Sequence, residues 1–366
     1  MRNYIIQRVI WIFIILFSTL TITFVLLKTA PEYPPAKVEE RDVWLERQVY
    51  DGYYTREYYT DSDEDLEIVE SIKVEYEDEL NRTVFILNPI NDSTTTKVFY
   101  RVPTVIQYQQ WLKNVITEWD WGYSTKIRAN TPAFDIIAER IPLTLSLNIL
   151  ILVFYIPLGF TFGIIAALKK DTLIDNLMQI FIIFFLSLPA LVFILLLIIL
   201  FSYQLDNFLP SLFPIIARSD FWALARGYVI PVVAAGLPAV AGFTRMLRAE
   251  LSEVLTSEFV LLAKTKGLSH QQAVLRHAIR NSLVPMIPII IGSFARLLSG
   301  SFILERVYAI PGVGSVTLRA LTKGAYDYNV LMSSSAFYSV IALFAVLIVD
   351  LSYGIIDPRI RMGAKR

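Results

Sequence analysis

The chain has 366 residues, 55% of them hydrophobic, with 33 basic residues against 33 acidic ones and no cysteine. A balanced total charge says nothing about partners, and the lack of thiols excludes a disulfide framework, thiolate catalysis and cysteine-held metals. The apolar residues come in long blocks rather than at a globular period, with a mean hydropathy of +0.53, which marks an integral membrane protein.

Residues 1–30 open with Arg2 and Arg8 and continue into an apolar run over 9–27. About 19 residues suffice to cross ~30 Å of hydrocarbon and are too many for a signal-peptide core, so the run reads as a retained first span. The basic residues ahead of it place the N-terminus in the cytoplasm.

Residues 31–136 turn polar, acidic and tyrosine-rich, with runs such as DSDEDLE and EYEDEL. We expect a small extracytoplasmic α+β insertion between the first and second spans. Two β-prone runs, 83–87 and 97–101, flank the turn-rich NPINDSTTT and predict a hairpin; Asp51-Gly52 suggests another. The acid run is either a solvated face or disordered loop, or a docking surface for a partner protein. QYQQWLKNVITEWDWGYS predicts an amphipathic helix and turn whose tryptophans suit a membrane interface.

Further apolar runs at 141–168, 173–203, 228–247, 286–304 and 334–356 bring the spans to six. Lys169-Lys170, the basic stretch 245–280 and the tail with Arg359, Arg361, Lys365 and Arg366 fall on the same side as Arg2 and Arg8. Both termini are therefore expected in the cytoplasm, in an all-α membrane bundle whose core covers 137–366. Pro142, Pro157, Pro189, Pro231, Pro238 and Pro288 lie in these runs together with several glycines; they serve close helix packing or bends that permit gating.

Between the fourth and fifth spans lies the charged, amphipathic segment 246–285. Its first half carries Leu251, Val254, Leu255, Phe259 and Leu262 at helical spacing and stops at Gly267. Its second half opens at Ser269, with Gln272 three residues on to complete a capping box, and ends at Pro285. The span count puts this helix pair in the cytoplasm.

No enzyme signature is present: there is no phosphate-binding glycine loop, no HExxH and no nucleophile elbow. His270 and His277 lack companions spaced for a metal and read as surface or interface residues. We expect no catalytic residues, no metal and no cofactor on this chain; energy for uphill movement must come from another one. Two charges within spans need explanation. Arg296 lies ~16 Å along the fifth span from Pro285, where an unpaired arginine costs at least ~2.5 kcal/mol, and Asp350 lies ~10 Å from the cytoplasmic end of the sixth. Either the two pair, or Arg296 lines a wet pathway.

The stretch FVLLAKTKGLSHQQAVLRHAIRNSLVP resembles the cytoplasmic "EAA" loop of ABC importer permeases in its dipeptide and oligopeptide version, through Ala263, Lys266, Gly267, Leu268, Arg276, His277, Ala278, Arg280, Asn281, Leu283 and Pro285. WGYS with PAFDIIAERIPLTLSL, ERVYAIPGVGSVTLRAL and VDLSYGIIDPRIRMG are similar to other stretches of that family. The triplet position reads Leu261-Leu262-Ala263, short of the general motif, and Arg296 stands where a small or apolar residue is expected. The acidic insertion 32–101 is longer than expected for the family.

The resemblance implies a permease of an importer driven by ATP and magnesium on partner subunits. Its partners would be a second homologous permease, two cytoplasmic ABC ATPases and an extracytoplasmic peptide-binding protein, in the cytoplasmic membrane of a bacterium. It implies ATPase coupling through Leu262, Ala263, Lys264, Thr265, Lys266, Gly267, Leu268, Ser269, Arg276, His277 and Asn281, with Ala263 and Gly267 permitting close backbone approach. Pathway or gating roles would fall to Arg296, Asp350, Glu305, Pro311, Gly312 and Gly314. Nickel chelates or another small solute are an alternative cargo; a membrane receptor with an acidic sensing ectodomain is an alternative from another class.

Overall fold

A computed structural model describes residues 2–29, 34–60, 62–77, 83–88, 95–215, 220–300, 302–322 and 326–356, the side chains of 2–5, 294–300 and 352–356 excepted. In chain order the elements are α1 (Arg2–Thr29), α2 (Val38–Tyr50), β1 (Tyr54–Thr60), α3 (Asp63–Glu75), β2 (Val84–Leu87), β3 (Thr95–Arg101), α4 (Thr104–Glu118), α5 (Ala133–Ala138), α6 (Ile141–Leu168), α7 (Leu173–Ser187) and α8 (Ala190–Ile198). They continue with α9 (Phe221–Leu255), α10 (Glu258–Thr265), α11 (His270–Ala273), α12 (Ile279–Leu283), α13 (Met286–Gly300), α14 (Phe302–Val307), α15 (Val313–Ala320) and α16 (Tyr328–Ile356). Two compact units result: Met1–Leu16 with Glu139–Leu318 and Phe337–Arg366, and Phe17–Ala138 with Arg319–Ala336.

Among the described residues, Ile6–Thr29, Ala133–Leu168, Phe221–Leu255 and Tyr328–Leu351 are each long and apolar enough to cross a membrane. Leu173–Ser187 with Ala190–Gln204, and His270–Leu283 with Met286–Ser293, qualify only as pairs bent by 99° and 53°, giving four spans, or six if each pair is one. The third predicted span, 173–203, is thus not one straight helix. Pro189 forbids the helical conformation at Leu188, which is extended at φ −79°, ψ 122°, and itself becomes the N-cap of α8. The fourth predicted span is longer than expected, running on through Leu255.

In the first unit α6 and α9 pack at close range. A Cβ on Gly159 would stand 2.9 Å from the Phe243 ring and one on Gly163 2.8 Å from the Leu247 Cβ, so side chains of one helix seat on bare backbone of the other. Around this seam Leu147, Ile151, Tyr155, Ile194, Ile230, Val240 and Tyr308 form the main apolar core. Pro157, Pro231 and Pro238 are accommodated inside these helices.

The second unit holds a three-stranded antiparallel sheet in the order β1-β3-β2, with Phe85 opposite Phe99 and Ile86 opposite Val98. The expected hairpin over 83–87 and 97–101 is β2 and β3. Asp51-Gly52 does not turn a second hairpin: it takes α2 into β1, with Gly52 at φ +78°. The acid run DSDEDLE opens α3 with Asp63, Glu64 and Glu67 exposed, a solvated face rather than a disordered loop, while EYEDEL runs into residues outside the described set. Ser62 caps the helix by accepting from the Asp65 N–H, and Asp63, Glu64 and Asp65 occupy the first turn, where the helix dipole favours carboxylates. The amphipathic helix predicted around Trp111 is α4, which buries Gln107, Trp111 and Val115 at four-residue spacing. Its tryptophans are not interfacial as a set: Trp111 and Trp121 are buried with Phe24 and Met332, and Trp119 alone of the three points outward at 62% exposure.

Candidate functional site

The segment 246–285 is three pieces in the structure. Its first ten residues are the end of α9; the chain breaks at Thr256-Ser257, α10 follows, and α11, a π-helical turn over Val274–Ala278 and α12 complete it. The predicted first helix is therefore divided, because the α9 C-cap at Thr256 already turns the carbonyls of Glu253 and Val254 back on the chain. The predicted stop and start are both present. The Gly267 N–H donates to the Lys264 carbonyl (3.0 Å) and the Leu268 N–H to the Ala263 carbonyl (3.3 Å), the paired bonds of a Schellman close, with Gly267 at φ +91°. Ser269 Oγ accepts from the Gln272 N–H (3.3 Å) while Gln272 Oε1 accepts from the Ser269 N–H (3.2 Å).

This segment has two faces. Val260, Ala263, Ala273 and Ala278 pack inward on Leu251 and Ala167. Ala263 is 7% exposed, so its small side chain admits the chain's own core rather than a partner, which corrects the expected close approach there. At Gly267 nothing lies within 4 Å of a built Cβ; glycine is needed there for its backbone conformation. The outward face carries Phe259 at 44%, Leu261 at 64%, Leu262 at 55% and Leu275 at 67% exposure. Around these apolar side chains stand exposed Lys264, Thr265, Lys266, Ser269, His270, Arg276, His277, Arg280 and Asn281; Leu268 is half-buried.

A strut at the foot of α9 had no counterpart in the sequence reading. Arg248 donates through Nε and Nη2 to the two oxygens of Asp175, both at 2.7 Å, and Asp175 is 2% exposed. The Asp171 N–H donates to the same carboxylate at 3.0 Å. A two-pronged arginine to carboxylate contact is geometrically specific, and this one ties the first turn of α7 to the helix that leads into α10. An aspartate near a helix start and an arginine 73 residues later carry no local pattern that would pair them.

The turn after α14 is a second site. Glu305 is fully buried; Oε1 accepts from Thr144 Oγ1 and Oε2 from the Ser315 N–H, each at 2.9 Å. Thr144 Oγ1 in turn accepts from the Val313 N–H at 2.9 Å. One carboxylate and one hydroxyl thus satisfy free amides at the start of α15 and fasten that helix to α6. Pro311, Gly312 and Gly314 shape the turn around it. A Cβ on Gly312 would run into the Glu305 carboxylate and Thr144 Oγ1, and one on Gly314 would lie 2.8 Å from the Phe302 Cα. Glu305 is a latch inside the protein, not a group lining water. Thr144, its partner, was within a quoted stretch but not singled out.

Arg296 lies on α13, and its side chain is outside the described residues, so the pairing expected for it is not addressed. Asp350 has a partner of its own: Arg8 Nε stands 3.2 Å from Asp350 Oδ2, bringing the start of α1 beside the end of α16. Residues 357–366, with the expected Asp357, Pro358 and Arg359, also lie outside the described set. Among the described residues no group of three or more His, Asp or Glu side chains could hold a metal ion.

The family described as the binding-protein-dependent transport system inner membrane component matches residues 159–362. The dipeptide transport system permease protein DppB of Bacillus subtilis is 33% identical over 263 residues, 72% of this chain and 81% of that protein. The oligopeptide transport system permease protein OppB of Haemophilus influenzae is 31% identical over 262 residues, 71% of this chain and 81% of that one. A solved inward-facing MetNI methionine ABC transporter aligns with a TM-score of 0.48 at 14% identity, over 61% of this chain and 96% of its own.

Proposed function

Because the chain belongs to the family of binding-protein-dependent transport system inner membrane components, we propose that it forms one half of the translocation pathway of an ATP-driven peptide importer. It is a transport permease rather than an enzyme, a multi-pass bacterial membrane protein that works with ATPase and binding-protein partners. In the proposed assembly a second, related permease supplies the other half, two cytoplasmic ATPases hold ATP and magnesium, and an extracytoplasmic protein delivers the peptide. Six spans with both ends cytoplasmic, the fifth beginning at Met286 so that His270–Leu283 stays outside the membrane, put Arg2, Arg8 and the segment 246–285 on one side.

The observation that carries the coupling role is the two-faced build of 246–285. Four exposed apolar side chains ringed by cations sit on a segment whose inner face is locked to Leu251 and Ala167, and whose lead-in helix is braced by the Arg248 to Asp175 fork. An ATPase gripping the outer face moves α9 and α12 with it, because the inner face leaves no slack. Packed helices respond to such a push by rigid-body alternation rather than by continuous deformation. The Glu305 latch keeps α6 and α15 moving as one piece. The insertion 32–101 faces the binding protein or caps the entrance.

The test is uptake of radiolabelled di- and tripeptides by proteoliposomes holding the whole importer. Saturable uptake that requires ATP and is lost in Leu262→Asp with Leu275→Asp supports the reading. Uptake of peptides without ATP, or undiminished in that variant, contradicts it.

A further inference from the structure

Wholly inside the second unit, between α2 and the loop 124–130, lies an open cleft of about 490 Å³. That volume is within the range of small-molecule sites. One wall is a single face of α2, with Glu39 and Glu40 in its first turn and Trp44 and Arg47 one and two turns on. The facing wall is the loop, with Ser124, Thr125, Lys126 and Asn130.

A loop wall is ordinarily soft, but this one is fixed from behind. Asp327 is fully buried, and its Oδ2 accepts from Ser124 Oγ (2.6 Å) and from the N–H groups of Thr125 (3.1 Å), Lys126 (3.0 Å) and Ile127 (3.0 Å). Ser124 Oγ then accepts from the Arg128 N–H at 2.9 Å. Holding both walls before a ligand arrives removes much of the ordering entropy from the binding step.

Charge is divided between the walls. Glu39 and Glu40 are exposed on the helix side, Glu40 with the Lys37 ammonium 3.1 Å away; Lys126 stands on the loop side, partly buried, with no carboxylate within 4 Å among the described residues, Glu40 and Asp327 acting on it at longer range. Burial pulls the Lys126 ammonium below the usual lysine range, a penalty that a bound anion would offset. Arg47 is already engaged, its guanidinium 3.4 Å from the Tyr123 ring centre and its Nε 3.4 Å from Asp51 Oδ1, which leaves Lys126 as the cation facing the cleft. A narrower recess shares Trp44, Thr125 and Lys126 with the cleft and adds Tyr53 and Tyr328, whose rings lie 3.7 and 4.2 Å from the Lys28 ammonium.

An acidic wall alone would gather cations and a basic wall alone anions; two fixed, opposed walls select a molecule that carries both charges. We propose that this cleft binds a zwitterion of the amino-acid or short-peptide class, with its ammonium at Glu39 and Glu40, its carboxylate at Lys126, and its side chain against Trp44. The choice of peptide rests on the import reading above. The permease would then hold its cargo at a site of its own within the second unit.

The test uses the full-length permease in lipid nanodiscs, without binding protein, titrated calorimetrically with trialanine, N-acetyl-trialanine and trialanine amide. We expect saturable binding of trialanine, at least tenfold weaker binding of either blocked peptide, and a tenfold loss in Lys126→Met and in Glu39→Gln with Glu40→Gln. No saturable binding, equal binding of the blocked peptides, or unchanged affinity in both variants overturns the proposal. The blocked-peptide arm uses the unaltered chain and so does not depend on a variant folding. Failure of this proposal is separable from failure of the import reading: ATP-dependent peptide uptake by the whole importer with no binding to the permease alone removes only the cleft.

Discussion

The segment 246–285 and the turn 305–315 are both short, both rich in motif residues, and built to opposite ends. In the first, polar groups close locally, through a Schellman pair and a capping box, and the apolar side chains of Phe259, Leu261, Leu262 and Leu275 are left outside. In the second, a charged group is taken wholly inside and satisfied by Thr144, far away in the chain, and by the Ser315 N–H across the turn. The difference teaches how to read such motifs. Where a helix pair meets its own hydrogen-bonding needs and still shows leucines on its outer face, we propose a surface for another chain; where glycines crowd a carboxylate, they guard a contact within this one.

The largest effect is expected at the latch. Glu305→Ala leaves the Ser315 N–H and the Thr144 hydroxyl without their acceptor and should lower stability by about 3 kcal/mol, with uptake lost and Glu305→Gln retaining part of both. Thermal unfolding in detergent measures it; an unchanged midpoint would make the latch incidental. Next comes a buried acid that lacks the partners Glu305 has. Asp51 sits 3.4 Å from Arg47, yet burial outweighs that attraction and pushes its carboxyl from 3.8 up to about 6, with Asp120 adding to the rise. Its pKa is raised in the folded state, so the folded chain holds the proton through that window. Stability should therefore rise as pH falls from 7 to 5, by about 1.3 kcal/mol, and Asp51→Asn should flatten that dependence in hydrogen exchange of the sheet unit. A steeper profile in the variant would contradict the assignment.

Gly312→Ala should be destabilising by about 2 kcal/mol, since the added methyl has to displace the Glu305 carboxylate; the same change at Gly292, where nothing lies within 4 Å, is the control. Leu262→Ala should leave the unfolding midpoint unchanged and weaken ATPase association roughly tenfold, about 1.4 kcal/mol, because its side chain faces out. Ser269→Ala, which removes one cap, should cost about 1 kcal/mol locally, seen as faster exchange of the Gln272 amide.

Helix starts and stops were legible in the sequence wherever a local rule sets them: Gly267, the Ser269 and Gln272 box, and the hairpin of β2 and β3 all lie where residue chemistry within a few positions demands. The α3 cap at Ser62 follows the same rule, but a run of acids suits a solvated face and a disordered loop alike; that carboxylates in a first turn are favourable decides for the helix. What could not be read depends on distance along the chain. Asp175 with Arg248, Asp350 with Arg8, and Glu305 with Thr144 are each pairs whose separation in sequence carries no periodicity, and only the meeting of α7 with α9, α16 with α1 and α14 with α6 brings such groups together. The inward turn of Ala263 is of the same kind. Its conspicuous place in the motif gave no indication of which side of α10 would face Ala167.

The account's central claim, that the outer face of α10 is gripped by an ATPase while its inner face is held by this chain, can be tested with one probe. The chain has no cysteine, so a single introduced thiol is the only site at which it reacts with benzophenone maleimide. Photolysis of the assembled importer should join Leu262→Cys to an ATPase subunit and leave Ala263→Cys without an intermolecular adduct. No adduct at position 262, or equal adducts at both positions, would contradict it.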